Sequence, residues 1–455
     1  MESSFIDALG EIVGAENVLT DQTALRRYAA GTDVLPVAAV LPANTAEVSA
    51  VLALANGVKV PVCPRGAGSS LGGGVVATAD GLVLALSRMN RIIEIDTANL
   101  VAVAEPGVAV SELNRAVAEH GLFYPPDPGT LPAATLGGTV ATGAGGLHDV
   151  KYGVSKHYVM GLEVVLADGR VLQTGGKTVK DVAGYDLTKL ITGSQGTLAV
   201  ITRVTVKLMP APATRRSLLA AFASPEDAGR AVTAIIAAKI TPAALEIMDT
   251  TTARAAADHA RVALLAGAGS FLLIELDGIA EVTDKETATA AEVLRQCEAG
   301  EIRVAADAAE GENMWAVRRA ALPALAKLRP STWLLDAAVS RGQVPALMQA
   351  VNVAAAKHML TIGAFGHAGD GNLQLAIAGD RGDGAEMARI EAALTELYAA
   401  ARALGGTLAG GPGLLPGAAE AQFGPAGLAA MRAVKRAFDA NCILNPGNLV
   451  GGCRG

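Results

Sequence analysis

Aromatic residues make up only 3% of this 455-residue chain, cysteines number four, and neither sign of charge dominates, with 37 Lys and Arg against 44 Asp and Glu. Each scarcity excludes something. Cys63, Cys297, Cys442 and Cys453 form no C-x-x-C unit, which argues against an iron–sulfur cluster, structural zinc or a disulfide framework and fits a reducing compartment. A net charge of −7 with both signs scattered leaves no basic stripe for nucleic acid and no polybasic segment for anionic lipid, so small anions are the expected partners. No apolar run is long enough to span a bilayer, and Met1-Glu2-Ser3-Ser4-Phe5 is acidic where a signal peptide is basic, so a soluble, cytoplasmic protein is expected. The 51% of apolar residues comes mostly from Ala, Val and Leu and suffices for large cores in two or three domains.

Glycine is what the chain has in abundance, 52 residues of it. Pro64-Arg65-Gly66-Ala67-Gly68-Ser69-Ser70-Leu71-Gly72-Gly73-Gly74 follows Val58–Val62, which reads as a strand leaving a helix. Glycines there let consecutive N–H groups turn toward an anion, although any single Gly-rich loop is also explained as a turn. A dinucleotide fingerprint would need glycine at Leu71 and a helix to follow, whereas Leu82–Leu86 reads as a buried strand. Loop amides, not a helix dipole, are therefore the expected phosphate ligands. Thr135–Gly146 and Gly193–Leu198 are two more Gly-rich loops in the same region. Gly176-Lys177-Thr178 looks like the end of a P-loop, but its first glycine would fall at Val171, which rules that motif out.

The pattern is helical over residues 1–35, then a strand at Ala39–Pro42 and a helix over Ala46–Ala55 with Thr45 as N-cap. Strands follow at Ile92–Ile95, Leu100–Ala104, Leu162–Leu166 and Leu198–Leu208. Met209-Pro210-Ala211-Pro212 ends this region, and Leu218–Phe222, Leu245–Met248 and Phe271–Leu276 alternate with Ala-rich helices in an α+β pattern. The text reads helical from Ala376 to about Leu404 and over Ala426–Phe438, and ends in a turn-rich tail, Asn441–Asn448.

Together, Pro64–Gly74, Tyr124-Pro125-Pro126-Asp127-Pro128, Leu136–Gly146, Val150-Lys151-Tyr152-Gly153-Val154, Gly175–Leu187, Gly193–Thr202, Phe365–Asn372 and Ile443–Gly447 resemble the FAD-linked 2-hydroxyacid dehydrogenases, the group of the glycolate oxidase FAD subunit and D-lactate dehydrogenase. The resemblance implies an α+β protein with a two-subdomain FAD-binding domain of the vanillyl-alcohol-oxidase type over 1–210. It implies an α+β cap (substrate) domain with an antiparallel sheet over 211–410, and a segment, 411–455, that returns to the FAD domain. It places non-covalent FAD against Arg65, Gly66, Ala67, Gly68, Ser69 and Ser70 at the diphosphate, and against Pro126, Asp127, Thr135, Gly138, Thr142, Gly143, Gly145, Gly146, Gly196, Val200, Ile201 and Asn445 elsewhere. The implied reaction is oxidation of a small 2-hydroxy acid of the D-lactate or glycolate type. Electrons would pass to a quinone or a protein such as electron-transfer flavoprotein or a partner subunit in a homo- or hetero-oligomer.

The chain departs from that family where catalysis is concentrated. Relatives usually carry G-H-x-G-D-G-N-x-H, whose histidines help hold a divalent metal; here His367-Ala368-Gly369-Asp370-Gly371-Asn372-Leu373-Gln374 puts Gln374 at the second histidine. Relatives usually carry G-E-H-G-I-G, with a metal-binding Glu and a catalytic His; here Gly411 and Pro412 stand in their places. No family-type metal is expected, since such sites take at least three protein ligands. Arg318, His367 and Asn372 remain as candidate catalytic residues. Arg318 matches the guanidinium that binds substrate carboxylate in relatives, and is equally readable as an ordinary ion pair. His367 reads as a base freed from metal duty, a weak metal ligand, or a structural histidine bonded to backbone. A flavin-carrying relay or structural subunit that has lost the Glu-His pair is the alternative function.

Overall fold

The structure, a computed structural model, describes residues 2–29, 34–69, 77–129, 133–262, 269–408 and 418–448. The chain divides into two units, one of Met1–Gly145, Val154–Ala211 and Gly411–Gly455, the other of Gly146–Gly153 and Pro212–Gly410. Among the described residues no helix is long and apolar enough to cross a membrane.

The first unit holds two main sheets. In the smaller, Ala38–Val40, Leu82–Ala85 and Val62–Arg65 run parallel in that order, with Val18–Leu19 antiparallel at the edge. All eleven positions of the parallel strands except Pro64 and Arg65 are buried, which is why these segments read as short unbroken apolar runs. The helix Thr45–Val58 joins two of them; Asn44 caps it by accepting from the Glu47 N–H at 3.0 Å, while Glu47 accepts from the Ala43 N–H at 2.7 Å. Its Val48, Val51 and Leu52 pack on Val40, Val62, Leu82 and Leu84, and Ile443 and Leu444 of the tail complete that core. The second sheet is antiparallel, in the order Ile92–Asp96, Val101–Ala104, Val200–Lys207, Val159–Val165, Val171–Gly175.

The second unit is built on one eight-stranded antiparallel sheet. Its order is Ile302–Val304, Thr214–Phe222, Ser270–Gly278, Ala244–Asp249, Thr361–His367, Asn372–Gly379, Ser331–Ala338, Thr407–Leu408. The helices Thr250–Ala260 and Ala308–Leu325 cover it, with Leu219, Met248, Phe271, Leu273, Trp315 and Phe365 in their shared core. The α+β class, the paired subdomains and the antiparallel sheet agree with the expectation.

Several local expectations are corrected. Residues 1–35 hold a helix only over Glu2–Val13 and Gln22–Arg26, with the strand Val18–Leu19 between them. The strand before the first Gly-rich loop is Val62–Arg65, since Val58 ends the preceding helix, and the N-cap is Asn44 rather than Thr45. The stretch after Ala376 continues as strand to Gly379 before the helix Gly384–Ala403 begins, because Ala376–Ala378 are buried in the sheet. The second Gly-rich segment is not a loop: Leu136–Thr142 is helical. A Cβ on Gly137 would lie 2.4 Å from that of Pro106, so glycine serves close packing there while Leu136 and Val140 are buried. Cys63 and Cys297 are free thiols, as expected, but Cys442 is disulfide-bonded. Scattered spacing excludes a repeated framework, not a single bridge.

Candidate functional site

In the first unit, hydrogen bonds draw together the second and third Gly-rich segments, the tail and the strand that leads into the first. The strand Val62–Arg65 ends where the first loop begins, and the tail bonds to it: the Val62 N–H donates to Ile443 at 2.7 Å and the Asn445 N–H to Val62 at 2.9 Å. The N–H groups of Gly193 and Gln195 donate to Val140 and Ala141 of the helix Leu136–Thr142 at 3.0 and 2.7 Å. That helix closes on Gly143, whose φ of +64° needs glycine and which faces Gly193. A Cβ on Gly66 would sit 2.3 Å from Thr135 Oγ1, and one on Gly138 3.0 Å from the same atom. Gly66 and Gly138 therefore pack directly against the Thr135 side chain, with no room for a Cβ at Gly66. Gly196, at φ +66°, lies against Asn445, whose Nδ2 donates to the Gln195 carbonyl at 2.7 Å. Thr135 Oγ1 and Asn445 Oδ1 are both buried with no hydrogen-bond partner among the described residues.

Other expected cofactor residues are placed differently. The Arg65 guanidinium is tied to the carbonyls of Tyr28 at 3.0 Å and Arg27 at 3.2 Å and lies over the Tyr28 ring, so it anchors its loop. Val200 and Ile201 are buried strand residues, and Thr142 Oγ1 bonds back to Gly138 at 3.0 Å. Pro126 and Asp127 follow the strand Leu122–Phe123 and are not joined to this convergence by the contacts just described. Gly146 belongs to the second unit, where its N–H donates to Asp149 at 2.8 Å. Ser70, Gly411 and Pro412 lie outside the described residues. Lys177, part of the rejected P-loop look-alike, pairs with Glu94 and Asp96.

One group went unread in the sequence. Lys435 is 4% exposed; its ammonium donates to Thr197 at 2.7 Å, to Leu444 at 2.8 Å and to Asp439, which in turn accepts from the N–H groups of Ile443 and Leu444. This buried pair ties the tail to the third Gly-rich loop. Its signal was a Lys and an Asp four apart at the end of a helix, which ordinarily means an exposed pair.

In the second unit, His367 ends its strand and pairs in register with Glu246 on one side and Asn372 on the other. Its Nδ1 lies 2.7 Å from Glu246 Oε1, while Arg318, from the helix Ala308–Leu325, donates from Nε to Glu246 Oε2 at 2.6 Å. Arg318 also stacks over Phe365, its Cζ 5.0 Å from the ring centroid. Glu246, a strand residue in the sequence, thus brings Arg318 and His367 together, and the ladder sets Asn372 beside His367. A carboxylate inside Ala244-Leu245-Glu246-Ile247-Met248-Asp249, six residues all buried, was the available signal. Arg318 is an ion pair, but a buried one, and His367 bonds a carboxylate rather than backbone. Gln374 sits in the ladder between Phe365 and Asp336.

Burial works against the charged form of His367, yet Glu246 overcomes it and lifts the imidazole to about 9. Burial likewise opposes ionisation of Glu246, but His367 and Arg318 hold it below its ordinary value. Three aspartates surround the pair. Burial pushes Asp149 up to about 7, against the Gly146 N–H and His367, and also raises Asp336 and Asp370. Asp149 Oδ1, Asp336 Oδ1 and Asn372 Oδ1 are buried without hydrogen-bond partners among the described residues. Among the described residues no three of His, Cys, Asp and Glu are grouped to hold a metal ion.

The segment bearing Asp149 is clamped within this unit: Tyr152 donates to Asp277 at 2.7 Å and Lys151 pairs with the same carboxylate, as does His148 with Glu275 at 3.5 Å.

The chain's fold is that of p-cresol methylhydroxylase, whose substrate-bound crystal structure matches with a TM-score of 0.84 at 21% identity over 100% of this chain and 97% of that one. That is the vanillyl-alcohol-oxidase type of flavoprotein fold. Residues 36–175 match the FAD binding domain and residues 211–449 the C-terminal domain of FAD linked oxidases. Glycolate oxidase subunit GlcD of Bacillus subtilis (strain 168) is 43% identical over 418 residues, 91% of this chain and 89% of that protein. D-lactate dehydrogenase of Anaerostipes hadrus is 34% identical over 420 residues, 89% of this chain and 88% of that protein. The chain belongs to the FAD-linked oxidases, and FAD is its cofactor. Its first unit suits that cofactor: Gly66 and Gly138 bring backbone without Cβ atoms close to Thr135, and the buried oxygens of Thr135 and Asn445 have no hydrogen-bond partner among the described residues.

Proposed function

We propose that this FAD-linked oxidoreductase oxidises a small 2-hydroxy acid of the D-lactate or glycolate type and passes the electrons to a quinone or to a protein such as electron-transfer flavoprotein or a partner subunit. The relatives named as a glycolate oxidase subunit and a D-lactate dehydrogenase support the substrate class, and the word subunit supports a partner chain. The observation that carries the reading is the buried Arg318–Glu246–His367 group, in which the inner nitrogens are taken and the outer ones have no hydrogen-bond partner among the described residues.

FAD, when bound, supplies the hydride acceptor for the carbon bearing the hydroxyl. In the first unit Gly66, Ala67, Gly68 and Ser69, with Thr135, Gly138, Gly143, Gly196 and Asn445, would hold it without a covalent bond. In the second, Arg318 offers Nη1 and Nη2 to the substrate carboxylate in the two-pronged geometry a guanidinium allows. His367 is an imidazolium at neutral pH, so it donates to the hydroxyl oxygen and stabilises the negative charge that grows there. It is not the proton acceptor in that state. Asp149, titrating near neutrality, has the matching proton affinity for that task. Asn372 contributes its carboxamide oxygen as a hydrogen-bond acceptor. No family-type metal takes part in this scheme.

The test is an anaerobic visible spectrum of the purified protein during titration with D-lactate, L-lactate, glycolate and D-2-hydroxyglutarate. Bleaching of the flavin band by one of them is the expected result, and acid precipitation should release the flavin into the supernatant. A flavin that dithionite reduces and no hydroxy acid does would instead favour a relay subunit.

A further inference from the structure

The feature that most needs a reason is a carboxylate in the middle of an apolar strand. Glu246 is 1% exposed, flanked by Leu245 and Ile247, and its ladder partners are Leu273 and His367. Burying such a charge costs several kcal/mol unless it is paired and hydrogen-bonded. Here both oxygens are satisfied, and they are satisfied selectively. Oε2 takes the Nε–H of Arg318 and Oε1 meets Nδ1 of His367. Nη1 and Nη2 of Arg318 and Nε2 of His367 have no hydrogen-bond partner among the described residues, and none of them is a sealed orphan atom. One rigid acceptor therefore takes the inner face of two cationic groups and leaves the outer face of each for a ligand.

We propose that Glu246 is the positioning residue of this site: set by the sheet ladder, it aligns the Arg318 fork for the carboxylate and the His367 Nε2–H for the hydroxyl oxygen of one 2-hydroxy acid. This rests on the hydroxy-acid reading above. Two independent constraints support orientation as the purpose rather than charge balance alone. The Nε bond fixes the guanidinium plane, which the stack over Phe365 then holds from its face. The Nδ1 bond fixes the imidazole tautomer, so that when the ring loses a proton it is Nε2 that becomes bare. Phe365 itself pairs in register with Met248, on the same strand as Glu246, so both restraints on Arg318 come from adjacent strands of one sheet.

Holoenzyme carrying Glu246→Gln or Glu246→Asp decides it. The amide keeps the size but removes the charge and turns an N–H against one of two donors; the shorter acid keeps the charge but cannot reach both. Three readouts are taken: His367 titration by NMR of histidine-labelled protein, the dissociation constant of oxalate from its perturbation of the flavin spectrum, and the rate of flavin reduction against pH. In Glu246→Gln the His367 pKa should fall by about two units, to its ordinary value near 6.5 or below, and oxalate binding should weaken about tenfold or more. In Glu246→Asp the pKa should stay raised while oxalate binding and reduction rate are still lost. Asp behaving as wild type would overturn the proposal, because charge without position would then suffice; so would an unshifted His367 in Glu246→Gln. Should wild-type flavin be reduced by no hydroxy acid, the substrate reading falls and the proposal falls with it, while the histidine titration still decides whether Glu246 holds the imidazole. Should Glu246→Gln fail to fold, the Asp variant carries the test alone.

Discussion

Asn445 donates from its side-chain amide to the Gln195 carbonyl at 2.7 Å, and both residues hold positive φ, 42° and 54°. The tail thereby fixes a turn whose next residue, Gly196, is left-handed as well. Behind it Lys435 spans Thr197, Leu444 and Asp439. Asn445→Ala removes that bond and the orphaned Oδ1 together, at about 1–3 kcal/mol, so FAD affinity should drop about tenfold while the apoprotein still folds. Lys435→Met leaves the buried Asp439 charge unpaired and should cost about 3–5 kcal/mol, seen as a lower Tm of the apoprotein. Flavin retention on gel filtration separates the two effects, and equal retention by Asn445→Ala and wild type would remove Asn445 from the cofactor site.

Gly66 is glycine for want of space, not for backbone angle. A Cβ there would fall 2.3 Å from Thr135 Oγ1, with the Thr135 Cβ at 3.6 Å. Gly66→Ala should therefore lower FAD affinity at least about tenfold by driving Thr135 aside. Thr135→Ala should weaken FAD as well, by losing a buried acceptor. The double variant should be no worse than Thr135→Ala alone, because the alanine at 66 then occupies the vacated volume. Additive losses in flavin titrations would show that the two residues do not share one space.

Several strands of the first unit and the second domain's α+β pattern were legible because each is local: runs of buried Val, Leu and Ala carry the information in a few neighbouring residues. Leu136–Thr142 was not, since Leu-Gly-Gly-Thr-Val-Ala-Thr is a poor helix by propensity and is made helical by packing against Pro106. Nor was the Ala376–Gly379 strand end, where alanines read equally as helix and the ladder to Ser331–Leu334 decides. In the site, Arg318, His367 and Asn372 could be found by motif, but Glu246 joins the first two from 72 and 121 residues away, through bonds that no spacing encodes. Lys435 was hidden for the opposite reason: a charged residue near a helix end carries no sign in the sequence of being buried.

Lys151 and Tyr152 meet one carboxylate, Asp277, whose side chain is 1% exposed. That clamp holds the short helix Asp149–Tyr152, and with it Asp149, in the second unit. Lys151→Met strands a buried negative charge with only the tyrosine hydroxyl and should cost about 3–5 kcal/mol, read as a Tm loss. Asp277→Asn in the same background should recover part of that loss, because the uncompensated charge is gone. No recovery would mean that the lysine acts by packing its stem rather than by its charge.

The titrating groups of the second unit give stability a definite slope with pH. Asp149 has a folded pKa of about 7 against an ordinary 3.8, and Asp249 about 6, so the folded protein binds more protons than the unfolded chain across those windows. For each, the stabilising contribution is complete below the ordinary value and is lost as pH rises through the folded one. His367, raised from 6.5 to about 9, has the same sign: its contribution is complete below 6.5 and lost as pH rises through 9. Glu246 opposes them only on the acid side, where its lowered pKa makes stability fall once the carboxylate protonates. Urea midpoints should therefore decline from about pH 4 to about pH 9, through the aspartates up to about 7 and through His367 from about 6.5 upward. Asp149→Asn should make the part below about pH 7 shallower and leave the part above it, and His367→Gln should flatten the part above it. Substrate reduction of the flavin should share the upper limb, failing as His367 loses the proton it donates; a rate still rising through pH 10 would exclude the imidazolium as donor.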